Sequence, residues 1–316
     1  MTHPLNPFAA TRYEARKART TIMAKWGTAL ACLMLIAPVL WILAYIFHHA
    51  WPAFSLDYFL LNPSDKGKAG GLWGPLIGSF YLVICSLCVA VPVGVLSGIY
   101  LNEYAKENWI TRAIGVGVTS LAGVPSIVHA LFGLGAFVLG LLPLINRFID
   151  DPLQRMHAGL LTASLTIAVM ELPLIITSTR EALSSVPKTF REACWNLGAS
   201  KWQTIRTIVL PNSLGGILTG IILSVSRAAG ETAPILFTGA AFSLYVPETF
   251  PEKLAPYAVS EPFLAMAYHL KIIMAEISGM PEHMKFGCAA AMILLILSVN
   301  SLSIALRMKL RNAKKW

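Results

Sequence analysis

The stretch EACWNLGASKWQTIRTIVLP, residues 192–211, is the most informative part of this sequence. It begins with Glu192 and Ala193, has Gly198 five residues after Ala193, and closes on I-x-L-P at Pro211. Strongly apolar segments precede and follow it. A polar stretch with a turn-forming glycine between two apolar segments predicts a loop at a membrane surface. We interpret it as a cytoplasmic docking loop of a membrane protein.

The composition of the whole chain supports a membrane protein. Of its 316 residues, 56% are hydrophobic and only 13% are charged, and the mean hydropathy is +0.64. A helix needs roughly 20 apolar residues to cross a bilayer. Six segments meet that length: 28–47, 75–101, 114–142, 157–178, 213–238 and 287–306. The sequence therefore predicts an all-α membrane protein with about six transmembrane helices and no soluble catalytic domain.

The distribution of Lys and Arg predicts the orientation in the membrane. Of 25 such residues, 17 lie in the two terminal tails and in segments 102–112 and 179–211, all on one side of the predicted bundle. Positive charge collects on the cytoplasmic side, so we expect both termini to be cytoplasmic. This orientation and contact with membrane lipid headgroups explain the net charge of +9, and no nucleic acid is expected as a partner.

These observations divide the chain into three parts. A cytoplasmic basic tail is predicted at 1–27, a transmembrane domain at 28–306, and a second cytoplasmic basic tail at 307–316. The transmembrane domain would carry the docking loop at about 180–211 and an external loop at about 239–286. Residues 262–277 of the external loop are apolar enough for a short external or re-entrant helix, which could pack on the bundle or contact a soluble partner.

The predicted fifth span contains the sharpest candidate site, the run S-R-A-A-G-E-T-A-P from Ser226 to Pro234. Arg227 is the only basic residue inside any predicted span. Placing an arginine near the centre of a transmembrane helix costs about 2.5–3.5 kcal/mol of insertion free energy, so Arg227 should face the bundle interior and mark a pathway. Glu231 follows four residues later, which places both side chains on one face of a regular helix. Ser226 and Thr232 adjoin the pair and are also assigned to the pathway.

Two interpretations of Arg227 and Glu231 stay open. They form a structural ion pair, or Arg227 attracts an anion with its planar fork while Glu231 restrains it or accepts a hydrogen bond from a protonated oxygen. Such an acceptor would favour hydrogen phosphate over a fully deprotonated anion. Glu171, two residues before Pro173 in the fourth predicted span, is a second intramembrane carboxylate, either in the pathway or in an interhelical hydrogen bond.

Several classes of chemistry are excluded by the sequence. It contains no G-x-x-x-x-G-K-[ST] loop, so any ATP must be hydrolysed by another chain. No cluster of His, Cys and carboxylates has metal-site spacing, and no Ser, His and Asp arrangement fits the topology. We therefore expect no catalytic residue, no metal site and no cofactor in this chain.

The docking loop resembles the EAA loop of ABC importer permeases, with Cys194 replacing the second Ala of that motif. The segment from Arg227 to Gly239 resembles the R-A-x-G-E-T-A-P-L-L-F-T motif of phosphate-specific permeases of the PstA type. Residues 123–133 resemble their G-V-P-S-I-V-x-x-L-F-G segment, and 300–307 resemble their closing N-x-x-A-x-x-x-R region. The resemblance covers roughly residues 72–310.

The resemblance implies a type I ABC importer permease fold in the bacterial inner membrane. It implies a heterodimer with a PstC-type permease, an ATPase dimer that binds ATP and Mg, and a periplasmic phosphate-binding protein. By the family pattern, the phosphate path contains Arg227, Glu231, Thr232 and Ser226, and the coupling loop contains Glu192, Ala193, Gly198 and Pro211. The alternatives are a permease of the same fold for another solute and an ion-coupled secondary transporter.

Overall fold

The computed structural model describes residues 12–249 and 251–312, so the outer parts of both predicted tails lie outside the described residues. Within those ranges, six helical segments are long and apolar enough to cross a membrane, which confirms the predicted all-α membrane fold. We call them spans 1 to 6: Arg16–Ala53, Trp73–Tyr104, Ser126–Asn146, Leu160–Ser184, Lys201–Gly230 and Glu282–Lys309.

The spans are assembled from α-helices and short turns of other helix types. The α-helices are α1 (Arg12–Ala50), α2 (Leu56–Leu60), α3 (Trp73–Ile99), α4 (Trp109–Ala122), α5 (Ser126–Gly133), α6 (Leu142–Asn146), α7 (Leu160–Ser184), α8 (Lys188–Asn196), α9 (Lys201–Thr204), α10 (Leu210–Gly230), α11 (Ala233–Leu236), α12 (Met266–Ala275) and α13 (Glu282–Asn312). Turns of π-helix cover Tyr100–Tyr104, Leu134–Leu141 and Ile205–Val209. Short 3-10 turns cover Trp51–Ala53, Asp65–Gly67 and Pro152–Gln154.

In the described part of the chain, four two-residue strands form two small sheets, both in connections between spans. β1 (Pro63–Ser64) pairs antiparallel with β2 (Ala69–Gly70) in the connection between spans 1 and 2. β3 (Ala240–Ala241) pairs in parallel with β4 (Phe263–Leu264) in the connection between spans 5 and 6. The hydrogen bonds between these strands hold the two connections in place and pair backbone groups that would otherwise lack partners.

The third span differs from the prediction of one helix over 114–142. Helix α4 ends at Ala122, and α5 begins at Ser126. Pro125 has extended backbone angles, φ −58° and ψ 143°, and its ring prevents the preceding residue from continuing an α-helix. Span 3 therefore starts twelve residues later than expected. Helix α4 is a separate amphipathic helix with no buried residue.

The fifth span is also shifted from the predicted 213–238. It starts at Lys201 and ends at Gly230, so Pro211 lies inside a continuous helix and not in the loop to which it was assigned. A π-helical turn at Ile205–Val209 ends two residues before Pro211. Since proline has no N–H to donate, a local change in hydrogen-bond register there is physically expected.

Span 4, which is α7, forms the centre of the bundle and is the most buried of the six. It packs against α3 and α10 through glycines that let the backbones approach closely. A Cβ atom on Gly98 of α3 would lie 2.7 Å from Thr179 of α7, and one on Gly220 of α10 would lie 1.9 Å from the Ser178 hydroxyl. The packing therefore fixes α7 between two neighbouring spans.

Helix α1 runs without interruption through residue 28, so the predicted boundary between tail and membrane domain is not a structural break. In the predicted external loop, α12 covers Met266–Ala275, in agreement with the short helix expected at 262–277. His269 of α12 is buried and stacks on Phe242, with ring centroids 5.0 Å apart. Burial lowers the pKa of His269 to about 4.

Candidate functional site

Arg227 lies at the end of a helix inside the bundle. Helix α10 ends at Gly230, and Glu231 follows with extended angles, φ −75° and ψ 129°. The Arg227 Nε donates a hydrogen bond to Glu231 Oε1 at 3.2 Å. The two residues meet as the sequence predicts, but they meet across a helix end and not along the face of a regular helix. The helix is fully broken between Gly230 and Ala233, where α11 begins.

A second carboxylate reaches the same guanidinium from a different helix. Glu171 Oε1 of α7 lies 3.6 Å from the Arg227 Nε. The Glu171 side chain is 1% exposed, and neither of its oxygens has a hydrogen-bond partner among the residues that the structure describes. The buried Ser224 hydroxyl of α10 faces the same carboxyl group. Glu171 and Glu231 therefore compete for one arginine.

The Arg227 side chain is 38% exposed, in contrast to the buried Glu171. Hydrogen bonds are described for its Nε only, so the Nη1 and Nη2 groups have donors left for another partner. An arginine has five N–H donors in a planar fork that suits the oxygens of phosphate or carboxylate. The arrangement can hold an oxyanion at one positive group with carboxylates on two sides.

The other two residues assigned to the pathway lie beside this group. The Ser226 hydroxyl donates to the Ile222 carbonyl at 2.9 Å and hydrogen bonds with the Asn300 side chain of α13. Ser226 thus joins α10 to α13, a contact that the sequence does not reveal. Thr232 is half-buried and begins the turn into α11, without a capping hydrogen bond from its side chain.

The docking loop is a compact helix-turn-helix unit. Helix α8 ends at a left-handed Gly198, φ +83°, whose N–H donates to the Trp195 carbonyl at 2.9 Å. The next N–H, from Ala199, donates to the Cys194 carbonyl at 3.0 Å, which completes a Schellman cap. Ser200 and Gln203 then form a capping box that starts α9. The predicted turn at Gly198 therefore exists.

The surface of this loop is apolar and open. Glu192 and Ala193 are exposed, and so are four large hydrophobic side chains: Phe190, Trp195, Leu197 and Trp202. A cavity of about 480 Å³ lies beside them, lined in part by Glu192, Trp195 and Lys201. Contiguous exposed apolar residues with a polar rim are typical of a protein interface.

Arg191 attaches the docking loop to the bundle, a role that sequence reasoning missed. Its Nη2 lies 2.8 Å from Glu103 Oε1 at the end of span 2. Its Nη1 donates to the Val186 carbonyl at 2.6 Å, and its Nη2 donates to the Leu183 carbonyl at 2.9 Å. Both charged side chains are nearly buried, at 10% and 6% exposed. The position of α8 is thereby tied to the ends of spans 2 and 4.

Comparisons with known proteins agree with this architecture. The family described as "binding-protein-dependent transport system inner membrane component" matches residues 90–311. The phosphate transport system permease protein PstA of Pasteurella multocida is 32% identical over 72% of this chain and 76% of its own length. The PstA of Yersinia pestis is 31% identical over 72% and 71%. A probable ABC transporter permease of Bacillus subtilis, YqgI, is 32% identical over 66% of each chain.

Solved structures give the same fold at lower identity. A chain of a bacterial alginate ABC transporter, in complex with an alginate pentasaccharide-bound periplasmic protein, matches with a TM-score of 0.59 and 14% identity. The match covers 94% of this chain and 98% of that chain. At this level of identity the similarity concerns the fold alone.

Proposed function

Since the chain belongs to the family of binding-protein-dependent transport system inner membrane components, we propose that it is the permease subunit through which an ATP-driven importer moves inorganic phosphate into the cytoplasm. The type I ABC importer permease fold expected from the sequence is confirmed by the family match and the structural similarity. The observation that carries the choice of phosphate is the partly open Arg227 between two carboxylates.

The chemistry of this site suits a protonated oxyanion. Arg227 supplies the positive charge and the donors, and Glu231 can accept a hydrogen bond from a P–OH group. Sulfate at neutral pH has no proton to donate, so the same carboxylate would repel it. The two PstA relatives, whose names specify phosphate transport, support this assignment. One arginine, already engaged by carboxylates, would bind weakly enough for release.

The partners follow from the family and from the docking loop. We propose a heterodimer with a PstC-type permease, an ATPase dimer on the cytoplasmic side and a periplasmic phosphate-binding protein on the other. ATP and Mg would bind to the ATPase, and this chain would hold no cofactor. The exposed face of α8, with Glu192 and Ala193, would enter the ATPase, and Gly198 would set the turn beside it. Both termini would be cytoplasmic.

A continuous path connects this docking face with the Arg227 site. Arg191 fixes α8 to the end of α7, and α7 carries Glu171 against Arg227. In alternating access, closure of the ATPase dimer would move α8, and α7 would change the position of Glu171 relative to α10. Coupling through packed helices with two arrangements is a common mechanism of such transitions.

The test is phosphate uptake by vesicles that hold the full complex, with sulfate as competitor. We expect ATP-dependent uptake that sulfate does not inhibit, and loss of uptake in assembled Arg227→Gln and Glu231→Gln complexes. The control is Arg147→Gln, which removes an exposed arginine from the segment between spans 3 and 4. Wild-type complexes that transport no phosphate would indicate the same fold serving another solute. Uptake that persists without the ATPase would indicate an ion-coupled transporter.

A further inference from the structure

The least satisfied side chain near the proposed path is Glu171. It is 1% exposed, lies on α7, and reaches Arg227 on α10 only at 3.6 Å, beyond a normal hydrogen bond. Both of its oxygens lack hydrogen-bond partners among the residues described. A buried carboxylate in this condition costs free energy unless a donor or a cation approaches it. One of these oxygens, Oε1, lies 3.6 Å from the Nε of Arg227, the residue that would meet a ligand.

The net charge of the site also favours an anion that carries its own O–H groups. Arg227 is the only cation in an ion pair with Glu171 in the described part of the chain, and Glu231 already accepts from its Nε. If both carboxylates are ionised, the group carries a net charge of −1, which opposes an incoming anion. An anion that brings its own O–H groups can instead donate to the unpaired carboxylate oxygens. An anion without protons can only compete with Glu171 for Arg227.

We propose that Glu171 is a specificity-determining residue: it occupies Arg227 when the site is empty, and it accepts a hydrogen bond from one P–OH group of dihydrogen phosphate when the site is filled, while the other P–OH group donates to Glu231. This inference rests on the proposed function, because it assumes that Arg227 binds the transported anion. Selection against sulfate then resides in two carboxylates on different helices, Glu231 after α10 and Glu171 on α7. Movement of α7 during the transport cycle would restore the contact between Glu171 and Arg227 and expel phosphate.

The substitution Glu171→Gln tests this directly. The amide keeps the shape, removes the negative charge and adds an N–H₂ donor, which sulfate can use. We expect sulfate to compete at the site at a concentration at least about tenfold lower than in the wild type, since the carboxylate no longer repels it and the amide can donate a hydrogen bond to it. We also expect slower release and therefore a lower maximal rate. A purely structural Glu171 would leave the preference for phosphate over sulfate unchanged.

The assay must avoid the selectivity of the binding protein. Complexes are reconstituted in vesicles with the ATPase outside and the phosphate-loaded binding protein sealed inside, so that ATP drives phosphate outward. Phosphate or sulfate is then added to the outside, where it meets the cytoplasmic face of the permease. Inhibition by each anion reports binding to the released site. Glu252→Gln, an equal charge change at an exposed position, is the matched control.

The outcomes separate the two proposals. Inhibition by phosphate but not sulfate in the wild type, with both inhibiting Glu171→Gln, supports the inference. If Arg227→Gln loses transport but Glu171→Gln keeps the wild-type preference for phosphate over sulfate, the role of Glu171 is overturned and the proposed function stands. If wild-type complexes do not transport phosphate, or if Arg227→Gln transports it as the wild type does, both proposals fail. Should Glu171→Gln not assemble, Glu171→Met, which fills the space without polar atoms, must also lose the preference.

Discussion

Replacement of Arg191 by alanine is expected to damage both stability and coupling. The arginine makes contacts of 2.6, 2.8 and 2.9 Å, to Val186, Glu103 and Leu183. Its removal would leave the nearly buried carboxylate of Glu103 without a cation. Breaking a buried ion pair from one side costs about 3–5 kcal/mol. We expect about 3 kcal/mol, the lower end, because Asn102 still donates to Glu103 at 2.8 Å.

The assay has two readouts on the assembled complex, the thermal unfolding temperature and the amount of phosphate moved per ATP hydrolysed. Arg191→Ala should lower the unfolding temperature and leave ATP hydrolysis that no longer drives transport, since α8 is released from the ends of spans 2 and 4. The apolar double variant Arg191→Met with Glu103→Leu should recover much of the stability, because no charge is left buried. Arg147→Ala, at an exposed position, should change neither readout. Unchanged stability and unchanged coupling in Arg191→Ala would refute the role assigned to Arg191.

Three further predictions concern local features of the fold. His269 is neutral in the folded protein with a pKa of about 4, below the ordinary value of 6.5, so the unfolded chain takes up the proton first as pH falls. The free energy of unfolding should therefore keep the full contribution of neutral His269 above pH 6.5 and decline by about 3 kcal/mol toward pH 4. When unfolding is measured as a function of pH, this decline should be absent in His269→Phe. Gly198→Ala should destabilise the cap at the end of α8 by about 1–2 kcal/mol, because the φ angle of Gly198 is +83°. Cleavage of the loop by a protease should become faster in this variant. An unchanged cleavage rate would contradict the left-handed conformation. Gly98→Ala should lower the free energy of unfolding by about 1–3 kcal/mol, because the added methyl group would overpack against α7. Gly117→Ala should have no effect, because a Cβ atom there has nothing within 4 Å. Equal unfolding temperatures for the two variants would contradict the packing.

Hydropathy predicts the number of spans well and their limits less well. Apolar residues lie on both sides of residues 123–125 and of residues 230–234, so composition alone merges elements that the backbone separates. Pro125 was a local signal of the first break, since it restricts the residue before it. Gly230 and Pro234 are local signals of the second break, but its full extent depends on the extended conformation of Glu231, which the sequence does not reveal.

The candidate site shows a similar division between local and distant information. The spacing of Arg227 and Glu231 predicts their contact because it spans only four residues. The sequence identifies Glu171 only as an isolated charge in an apolar segment and does not predict its contact with Arg227. Arg191 and Glu103 are separated by 88 residues, and Ser226 and Asn300 by 74, so a single sequence gives no basis for pairing them. Their contacts depend on how the helices pack.

The most direct test of the central claim is an experimental structure of the full complex with phosphate trapped during the transport cycle. The ATPase would carry a substitution that binds ATP without hydrolysing it. The account predicts a phosphate oxygen at about 3 Å from the Arg227 guanidinium, with a carboxylate oxygen of Glu231 or Glu171 accepting from the phosphate. Phosphate bound elsewhere in the path, with Arg227 still held by both carboxylates, would contradict it.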